Sequence, residues 1–321
     1  MSKYSICVIG VYFGKLPAYF NLWLKSCEYN PDIDFLVITD DESDENVFPQ
    51  NVRKIKMTLN EMKALADEKL GLNTALVTPY KCCDFKVVYG NIFADYLNDY
   101  DFWGHCDFDL IFGDIRHFIT DDILQKNDKI FDLGHLAIYR NTDKVKEYYK
   151  LPGGRHDYIK VFTSAVSYAF DERNCIYQIY KTNNLPMFDK IIYLDIYSIY
   201  TRFKVVHGIK NYKHQVFYWE NGKVFRAYKN KKSIFYDEFV YIHFKKRGFS
   251  DTINKPISKF YISVNGFSSK ESSGVPSLKE MNKINPFVFK KEFSEILNNV
   301  FRLFMRKVKG VLRRVSNILT R

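Results

Sequence analysis

Two aspartates separated by one residue stand in the middle of an apolar stretch. Residues 103–114 read Trp-Gly-His-Cys-Asp-Phe-Asp-Leu-Ile-Phe-Gly-Asp, so the pair is Asp107 and Asp109. In an extended backbone, residues i and i+2 point to the same side, and both carboxylates can reach one cation. Two hard oxygen ligands without an adjacent Cys or His cluster favour Mg2+ or Mn2+ over a structural zinc ion. A turn with two solvated aspartates is the alternative, but the apolar flanks favour the edge of a buried element.

This stretch resembles the Asp-x-Asp motif of GT-A-type nucleotide-sugar glycosyltransferases, in the variant where a Gly-Asp turn (Gly113-Asp114) follows. The longer run Tyr-Asp-Phe-Trp-Gly-His-Cys-Asp-Phe-Asp, residues 100–109, is similar to a poorly characterised bacterial family of capsule-cluster and polysaccharide-cluster glycosyltransferases. The resemblance spans most of residues 5–248. It implies a GT-A-like (Rossmann-like) fold, a nucleotide-sugar donor, and Asp107 and Asp109 as metal ligands, with Asp109 also among the catalytic residues.

A histidine followed by cations forms the second informative stretch. Residues 239–248 read Phe-Val-Tyr-Ile-His-Phe-Lys-Lys-Arg-Gly, in which a predicted strand ends at His243. The resemblance makes His243 the third metal ligand and places Lys245, Lys246 and Arg247 near the donor diphosphate. The chemistry is consistent, because a neutral imidazole can join two carboxylates on Mn2+ and cations stabilise a departing diphosphate. A purely structural histidine is the alternative.

Two predicted strand ends supply donor-binding candidates. In open parallel sheets, ligands bind beyond the carboxyl ends of the strands, which selects Tyr12, Phe13 and Gly14 after the first strand and Asp40 after the second. The resemblance assigns the first loop to uracil or ribose and Asp40 to the nucleoside. Asp40 also begins an acidic run, residues 40–45, of a kind that usually forms a solvated loop.

Lys86 and Gly134 lie on either side of the Asp-x-Asp motif in the chain. Asp84 is predicted to cap a helix over residues 85–97, and a cation at Lys86 in the first turn is unfavourable beside the helix dipole unless an anion is near. A diphosphate is such an anion, and a surface lysine is the alternative. Gly134 precedes a predicted strand, and the resemblance makes it the glycine that lets the donor sugar approach the backbone closely.

Asp171 and Glu172 lie about where enzymes of this kind place acids on the acceptor side. A carboxylate there would act as a general base and take the proton of the attacking hydroxyl. An ordinary acidic pair at a helix N-terminus is the alternative.

The elements that must position these residues alternate along the first part of the chain. Strands are predicted over residues 5–10, 35–39 and 53–57, and helices over residues 17–29 and 59–69. This alternation favours an α/β fold with a mostly parallel sheet and helices on both faces. Residues 215–227 are predicted to form a hairpin that turns at Asn221-Gly222. A dinucleotide oxidoreductase or a P-loop kinase has no support, because neither glycine-rich motif is present.

Composition and charge limit the class of protein further. The 321 residues are 46% hydrophobic, as in a soluble globular chain, and six cysteines without a Cys-x-x-Cys pair fit reduced, cytosolic thiols. The apolar run at residues 6–11 is too short for a signal peptide, and none approaches the ~20 residues of a membrane span. Seven of the basic residues behind the net charge of +11 lie in residues 296–321, without an acidic one, which argues against a nucleic-acid-binding body.

The basic segment at residues 296–321 also indicates a separate structural unit at the C-terminal end of the sequence. Apolar residues at helical spacing alternate there with Lys and Arg, which is typical of an amphipathic helical tail on an anionic membrane surface. A helix packed on the body is the main alternative. We therefore expect a GT-A-like catalytic domain over residues 1–250, a linker or peripheral segment over residues 251–285, and the basic tail over residues 286–321.

Together these features predict a metal-dependent, hexosyltransferase-like glycosyltransferase, located in the cytoplasm and peripheral on the inner face of the cell membrane. It would transfer a sugar from a nucleotide-sugar donor, expected to be a uridine diphosphate sugar, to a polysaccharide or a lipid-linked saccharide. The alternative from another class is a non-catalytic carbohydrate- or membrane-binding protein on the same fold. A metal-dependent phosphohydrolase is disfavoured, because no further Asp/His cluster supplies a second metal site.

Overall fold

The computed structural model contains a seven-stranded, a five-stranded and a three-stranded sheet in the part of the chain that it describes. The described residues are 3–43, 46–197, 202–206, 208–245, 249, 253, 257–291, 293–295, 297, 298, 301, 305 and 308. The strands are β1 (Ile6–Tyr12), β2 (Asp34–Thr39), β3 (Val52–Lys56), β4 (Phe102–Cys106), β5 (Leu110–Phe112), β6 (Lys129–Ile130), β7 (Leu136–Arg140), β8 (Met187–Phe188), β9 (Leu194–Asp195), β10 (Gln215–Glu220), β11 (Lys223–Asn230), β12 (Ser233–Phe239), β13 (Tyr241–His243), β14 (Lys259–Ser263) and β15 (Gly266–Ser269). The helices are α1 (Phe20–Glu28), α2 (Leu59–Leu70), α3 (Cys82–Phe85), α4 (Tyr89–Ile92), α5 (Ile115–Phe118), α6 (Asp121–Lys126), α7 (Asp143–Lys146), α8 (Tyr158–Thr163), α9 (Ile176–Thr182) and α10 (Leu278–Ile284).

The large sheet has the order β3-β2-β1-β4-β7-β6-β8. Its first four strands are parallel, in the order found in the first half of a doubly wound sheet, which confirms the predicted α/β class. The sheet is mixed beyond that point, because β7 runs antiparallel to both β4 and β6. Only residues 131–135 join β6 to β7, and parallel neighbours need a much longer crossover.

Strand β1 lies inside this sheet, between β2 and β4, and separates two cores. Ile6 and Val8 belong to one apolar cluster, while Cys7 and Ile9 belong to the other, as expected for a strand buried on both faces. Helix α1 packs into the first cluster and α2 into the second, so helices cover both faces as predicted. The prediction that Gly10 ends the strand is wrong, because β1 continues to Tyr12.

The predicted helix over residues 85–97 is also wrong in this form. Residues 82–96 instead form α3, a 3-10 turn at Lys86–Val88, α4 and a second 3-10 turn at Ala94–Tyr96. Asp84 does not cap a helix here. Its buried carboxylate accepts hydrogen bonds from the backbone N–H groups of Tyr168 and Phe170 and from the Lys81 ammonium. The carboxylate is therefore committed to a distant part of the chain.

The five-stranded sheet has the order β12-β11-β10-β14-β15. The hairpin of β10 and β11 turns at Asn221 and Gly222 as predicted, and both residues have left-handed φ angles, +49° and +81°. Strands β14 and β15 and helix α10 lie within the predicted linker or peripheral segment, so this range contains regular structure. The domain boundary at residue 250 remains a prediction.

The C-terminal tail is described at only some positions. Residues 286–288 have no regular structure and the described positions between residues 289 and 308 are helical, whereas the other residues of the predicted tail lie outside the described part of the chain. Within the described residues, no helix combines the length and the apolar character that a membrane span requires.

Candidate metal and donor site

The Asp-x-Asp segment connects the large sheet to the three-stranded sheet. Strand β4 ends at Cys106, Asp107 to Asp109 follow, and β5 begins the small sheet at Leu110. Strand β13 lies between β5 and β9, in a register that pairs His243 with Leu110 on one side and with Asp195 on the other. The register of two short strands therefore brings His243 and Asp195 to the end of the Asp-x-Asp segment.

Phe108 fixes the direction of the two aspartates. Its ring is buried against Phe20 and Trp23, with ring centroids 5.3 and 4.9 Å away. Gly10 provides the space for this ring, because a Cβ atom at Gly10 would lie 2.6 Å from Phe108 Cζ. The chain bends at Phe108 and Asp109 instead of staying extended, and Asp107 and Asp109 both line the two cavities described below.

His243 is held between two carboxylates. Its Nδ1 lies 2.9 Å from Asp195 Oδ1, and its Nε2 lies 3.4 Å from Asp109 Oδ1. Burial lowers the pKa of His243, but the charges and hydrogen bonds of Asp109 and Asp195 outweigh burial and raise it to about 9. The two carboxylates thus favour a positive charge on or beside the His243 ring.

Asp107, Asp109 and His243 form a donor set that fits a divalent cation. One ligand atom of each residue lies within 4.8 Å of the other two. Two carboxylates and an imidazole suit Mn2+ or Mg2+, and the bond from Nδ1 to Asp195 orients the ring so that Nε2 faces the cation position. This bond is the carboxylate–histidine pairing usual behind metal ligands.

A second set of possible ligands is His135, Asp195 and His243. The two imidazole rings lie 4.4 Å apart at an angle of 31°, so they are close to parallel. Nitrogen lone pairs lie in the ring plane, and those of nearly parallel rings do not converge well on one ion. His135 also shares a hydrogen bond with Tyr241, since its Nδ1 lies 2.9 Å from the hydroxyl. We therefore favour the first set.

Lys86 joins the metal-ligand candidates to a second acidic group. Its buried ammonium lies 2.7 Å from Asp107 Oδ1, 3.0 Å from Asp171 Oδ2 and 2.9 Å from the carbonyl oxygen of Gly134. Burial lowers the pKa of Lys86, but Asp107 and Asp171 hold it well above its ordinary value. The alternative of a surface lysine is wrong.

Asp171 and Glu172 lie in a turn rather than at a helix N-terminus, since α9 begins only at Ile176. Burial raises the pKa of Asp171, although Lys86 opposes this effect. Burial, and then the charge of Asp171, raise the pKa of Glu172 to about 7. Gly134 lies directly against this turn, and a Cβ atom there would overlap the Asp171 carboxylate. The structure thus places Gly134 beside Asp171.

Two adjoining cavities meet at the Asp-x-Asp segment. The first has a volume of about 440 Å³ and the second about 290 Å³. The residues that line both are Tyr80, Cys83, Lys86, Asp107 and Asp109. The first continues along aromatic residues, including Tyr12, Phe13 and Tyr19, and the second continues to Asp171, Glu172, His243 and Lys245. The candidate ligands therefore stand where an apolar and a charged cavity meet.

Gly14 and Asp40 are not among the lining residues of these cavities. The N–H of Gly14 donates a hydrogen bond of 2.6 Å to Asp40 Oδ1, and that of Leu16 donates one to Asp41 Oδ2 at the same distance. The acids after β2 therefore fasten the loop after β1, rather than forming only a solvated acidic run. Lys245 forms an ion pair of 3.0 Å with Asp195, while Lys246 and Arg247 lie outside the described residues.

Several residues at the site were not predicted from the sequence, among them Asp195, Tyr80 and Cys83. Asp195 orients His243 and contacts Lys245, but it belongs to a two-residue strand whose pairing no sequence pattern indicates. Tyr80 and Cys83 line both cavities from a stretch of short helical turns. Their positions follow only from the packing of that stretch.

Comparisons with known proteins place the chain in a family without assigning an activity. Residues 8–271 match a family described as "Family of unknown function (DUF6625)". No curated protein matches the chain. A solved structure of the galactosyltransferase LgtC in complex with donor and acceptor sugar analogues is 13% identical, with a TM-score of 0.36 over 59% of this chain and 75% of that chain. A structure of an active-site mutant of LgtC is 14% identical, with the same TM-score and coverage. Similarity at this level leaves the function to the residues of the chain itself.

Proposed function

We propose that this chain, which belongs to a family of unknown function (DUF6625), is a metal-dependent glycosyltransferase with a nucleoside diphosphate sugar as donor. The observation that supports this proposal is the convergence of Asp107, Asp109 and His243 where two cavities meet. A diphosphate needs positive charge, the nucleoside needs an apolar cleft, and the sugar needs polar groups. Cationic, apolar and polar side chains that could meet these needs all lie next to Asp107 and Asp109.

Asp107, Asp109 and the Nε2 atom of His243 would hold Mn2+ or Mg2+. When bound, the ion would neutralise the diphosphate while the bond between the sugar and the phosphate breaks. Among the described residues, Lys86 and Lys245 bring positive charge to this point, and both are already held by carboxylates. They are therefore positioned before a donor arrives, which lowers the cost of organising the site.

The first cavity is proposed to hold the nucleoside. Tyr12, Phe13 and Tyr19 line it with aromatic surface, which can pack against a base. The resemblance of the sequence makes uridine the expected nucleoside. We propose an indirect role for Gly14 and Asp40, which is to fix the loop that carries Tyr12 and Phe13.

The second cavity is proposed to hold the transferred sugar and the acceptor hydroxyl. Glu172 lines this cavity, and a carboxyl group whose pKa is about 7 can exchange a proton near neutral pH. We propose Glu172 as the group that takes the proton of the acceptor hydroxyl. Asp171, paired with Lys86, would position the turn that presents Glu172. The acceptor is expected to be a saccharide or a lipid-linked saccharide.

A screen of nucleotide sugars tests the function. We expect one uridine, guanosine or cytidine diphosphate sugar to raise the melting temperature with Mn2+ and to be hydrolysed slowly in the absence of an acceptor. Ligand at about 100 times its Kd stabilises a native protein by about 2.7 kcal/mol. Asp109→Asn should abolish both effects, and the melting temperature of the free variant is measured alongside, because Asp109 is buried and its charge also acts on His243.

Asp114→Asn is the matched control for this experiment. Asp114 caps α5 by accepting a hydrogen bond from the N–H of His117, and Asn preserves such a cap. This variant should bind and hydrolyse the donor like the wild type. If no nucleotide sugar stabilises the protein but a free saccharide does so without metal, the carbohydrate-binding alternative replaces the enzyme.

A further inference from the structure

The outer edge of the five-stranded sheet is apolar and exposed. Strand β12 is the terminal strand, paired with β11 on one side and with no described strand on the other. Ile234, Phe235 and Tyr236 at its centre are 40, 46 and 58% exposed. Soluble proteins usually protect such an edge, because its free amide groups pair readily with another strand.

The charges along this edge run from basic to acidic. Lys231 and Lys232 form the turn before the apolar centre, and Asp237 and Glu238 follow it. Glu238 also contacts Lys223 on β11, at 3.3 Å, and Asp237 contacts Arg226. An antiparallel copy of the strand would therefore set the lysines of each chain against the carboxylates of the other.

The backbone allows this pairing in one particular register. Asn230 and Ser233 close a two-residue hairpin turn, and from such a closing pair onward the residues alternate in direction. Ser233, Phe235 and Asp237 direct their amide groups toward β11. Ile234 and Tyr236 direct theirs away from the sheet, as does Glu238. The outward groups are the ones that a second strand can bind.

We propose that two copies of this chain associate through antiparallel pairing of β12 about a twofold axis at Phe235. In this register Phe235 faces Phe235 of the second copy, Ile234 faces Tyr236, and Lys232 in the turn lies at the end of the ladder beside Glu238. Opposite charges and apolar pairs that lie directly across an antiparallel ladder stabilise it. The same surface of each copy forms the contact, so association stops at a dimer. The exposed β12 edge of each copy is then covered by the other.

Charge reversal in two separate chains tests the register. Lys232→Glu sets two pairs of carboxylates against each other in a homodimer, and Glu238→Lys sets two pairs of ammonium groups. Each variant alone should weaken self-association at least about tenfold by sedimentation analysis of the full chain. An equimolar mixture of the two should form heterodimers with wild-type affinity, because every opposed pair is then of opposite charge.

An engineered disulfide gives a second, independent measurement. Opposed residues that do not exchange hydrogen bonds have Cα atoms about 4.5 Å apart, which suits a disulfide. Phe235→Cys should therefore form a covalent dimer under mild oxidation. Val47→Cys is the control, because Val47 is 89% exposed and lies outside β12. It should cross-link far more slowly.

Three results would overturn the proposal. The first is a wild-type chain that stays monomeric up to millimolar concentration, as it would if its own C-terminal segment covered β12. The second is a dimer that both charge variants leave unchanged. The third is a Phe235→Cys chain that cross-links no faster than the Val47→Cys chain.

Discussion

Glu172 is the residue whose environment makes the clearest prediction about pH. Its pKa lies at about 7 in the folded chain, against an ordinary value of 4.5. Between these two values the folded protein binds more protons than the unfolded one, so the stability falls as the pH rises. The loss begins above about pH 4.5, is complete above about pH 7, and amounts to roughly 3 kcal/mol.

Urea unfolding of the wild type and of Glu172→Gln between pH 5 and pH 8 measures this loss. Gln keeps the shape of the side chain but does not ionise, so the wild type should lose stability relative to the variant as the pH rises. Glu68→Gln, at an exposed position on α2, controls for the removal of one negative charge. A difference between wild type and Glu172→Gln that stays constant with pH would show that Glu172 ionises as it does in water.

The metal-ligand candidates show how far single residues can be predicted. The i, i+2 argument assumed an extended backbone, whereas the chain bends at Phe108 and Asp109, so the approach of Asp107 and Asp109 to one point depends on this bend. Bringing His243 to Asp109 and orienting it by Asp195 depends on the pairing of β5, β13 and β9. The sequence analysis considered only the position of Lys86 in a predicted helix. It could not show the ion pairs of Lys86, because Asp107 and Asp171 lie far along the chain.

At the scale of elements, Gly10 shows why a local rule failed. Glycine commonly interrupts strands, and the sequence pattern predicts an end to β1 there. The neighbouring strand β4 leads to Phe108, whose ring occupies the space of the missing side chain. Gly10 therefore serves the segment that carries the two aspartates. The predicted cap at Asp84 failed for a comparable reason, since Asp84 lies inside α3 and its carboxylate binds the backbone of Tyr168 and Phe170.

Gly10→Ala should disturb the candidate metal site from the neighbouring strand. The added methyl group must displace the Phe108 ring, and overpacking of this kind typically costs about 1–3 kcal/mol. Because Asp107 and Asp109 flank Phe108, we expect weaker binding of Mn2+ together with a lower free energy of unfolding. Calorimetric titration with Mn2+ and urea unfolding measure the two effects separately.

Two further variants distinguish this effect from a general loss of stability. Gly71→Ala strains a left-handed residue, φ +63°, with nothing within 4 Å of the new methyl group, so it should lower stability without affecting Mn2+ binding. Adding Phe108→Leu to Gly10→Ala should restore part of both properties by relieving the contact. If Gly10→Ala binds Mn2+ with unchanged affinity, the packing of Phe108 does not determine the geometry of the metal site.

At the scale of the whole molecule, the described positions of the C-terminal segment expose several apolar side chains. Phe293, Leu297 and Phe301 belong to the predicted apolar side of the tail, and they are 54, 54 and 63% exposed. A helix packed on the body would bury such residues, so their exposure favours an apolar side available to another surface. The basic residues that accompany them from Arg302 onward are known from the sequence.

The free energy with which the tail binds anionic membranes should have an electrostatic part and an apolar part. Each basic residue near an anionic surface contributes up to ~1 kcal/mol, and this part weakens with salt, whereas the apolar part does not. We expect full-length protein to float with anionic vesicles at low salt and to be released only in part at high salt. Replacing Phe293, Leu297 and Phe301 by Ser should make release by salt complete.

Truncation before Asn298 completes the test of the tail. The shortened chain should no longer float with the vesicles, yet it should hydrolyse a soluble donor at nearly the full rate, because the candidate metal ligands all lie before residue 250. Vesicles of neutral lipid are the control, since they offer the apolar interior without the surface charge. A packed tail predicts the opposite pair of results: full-length protein that stays unbound even at low salt, and a truncated chain that melts early because an apolar face of the body is uncovered.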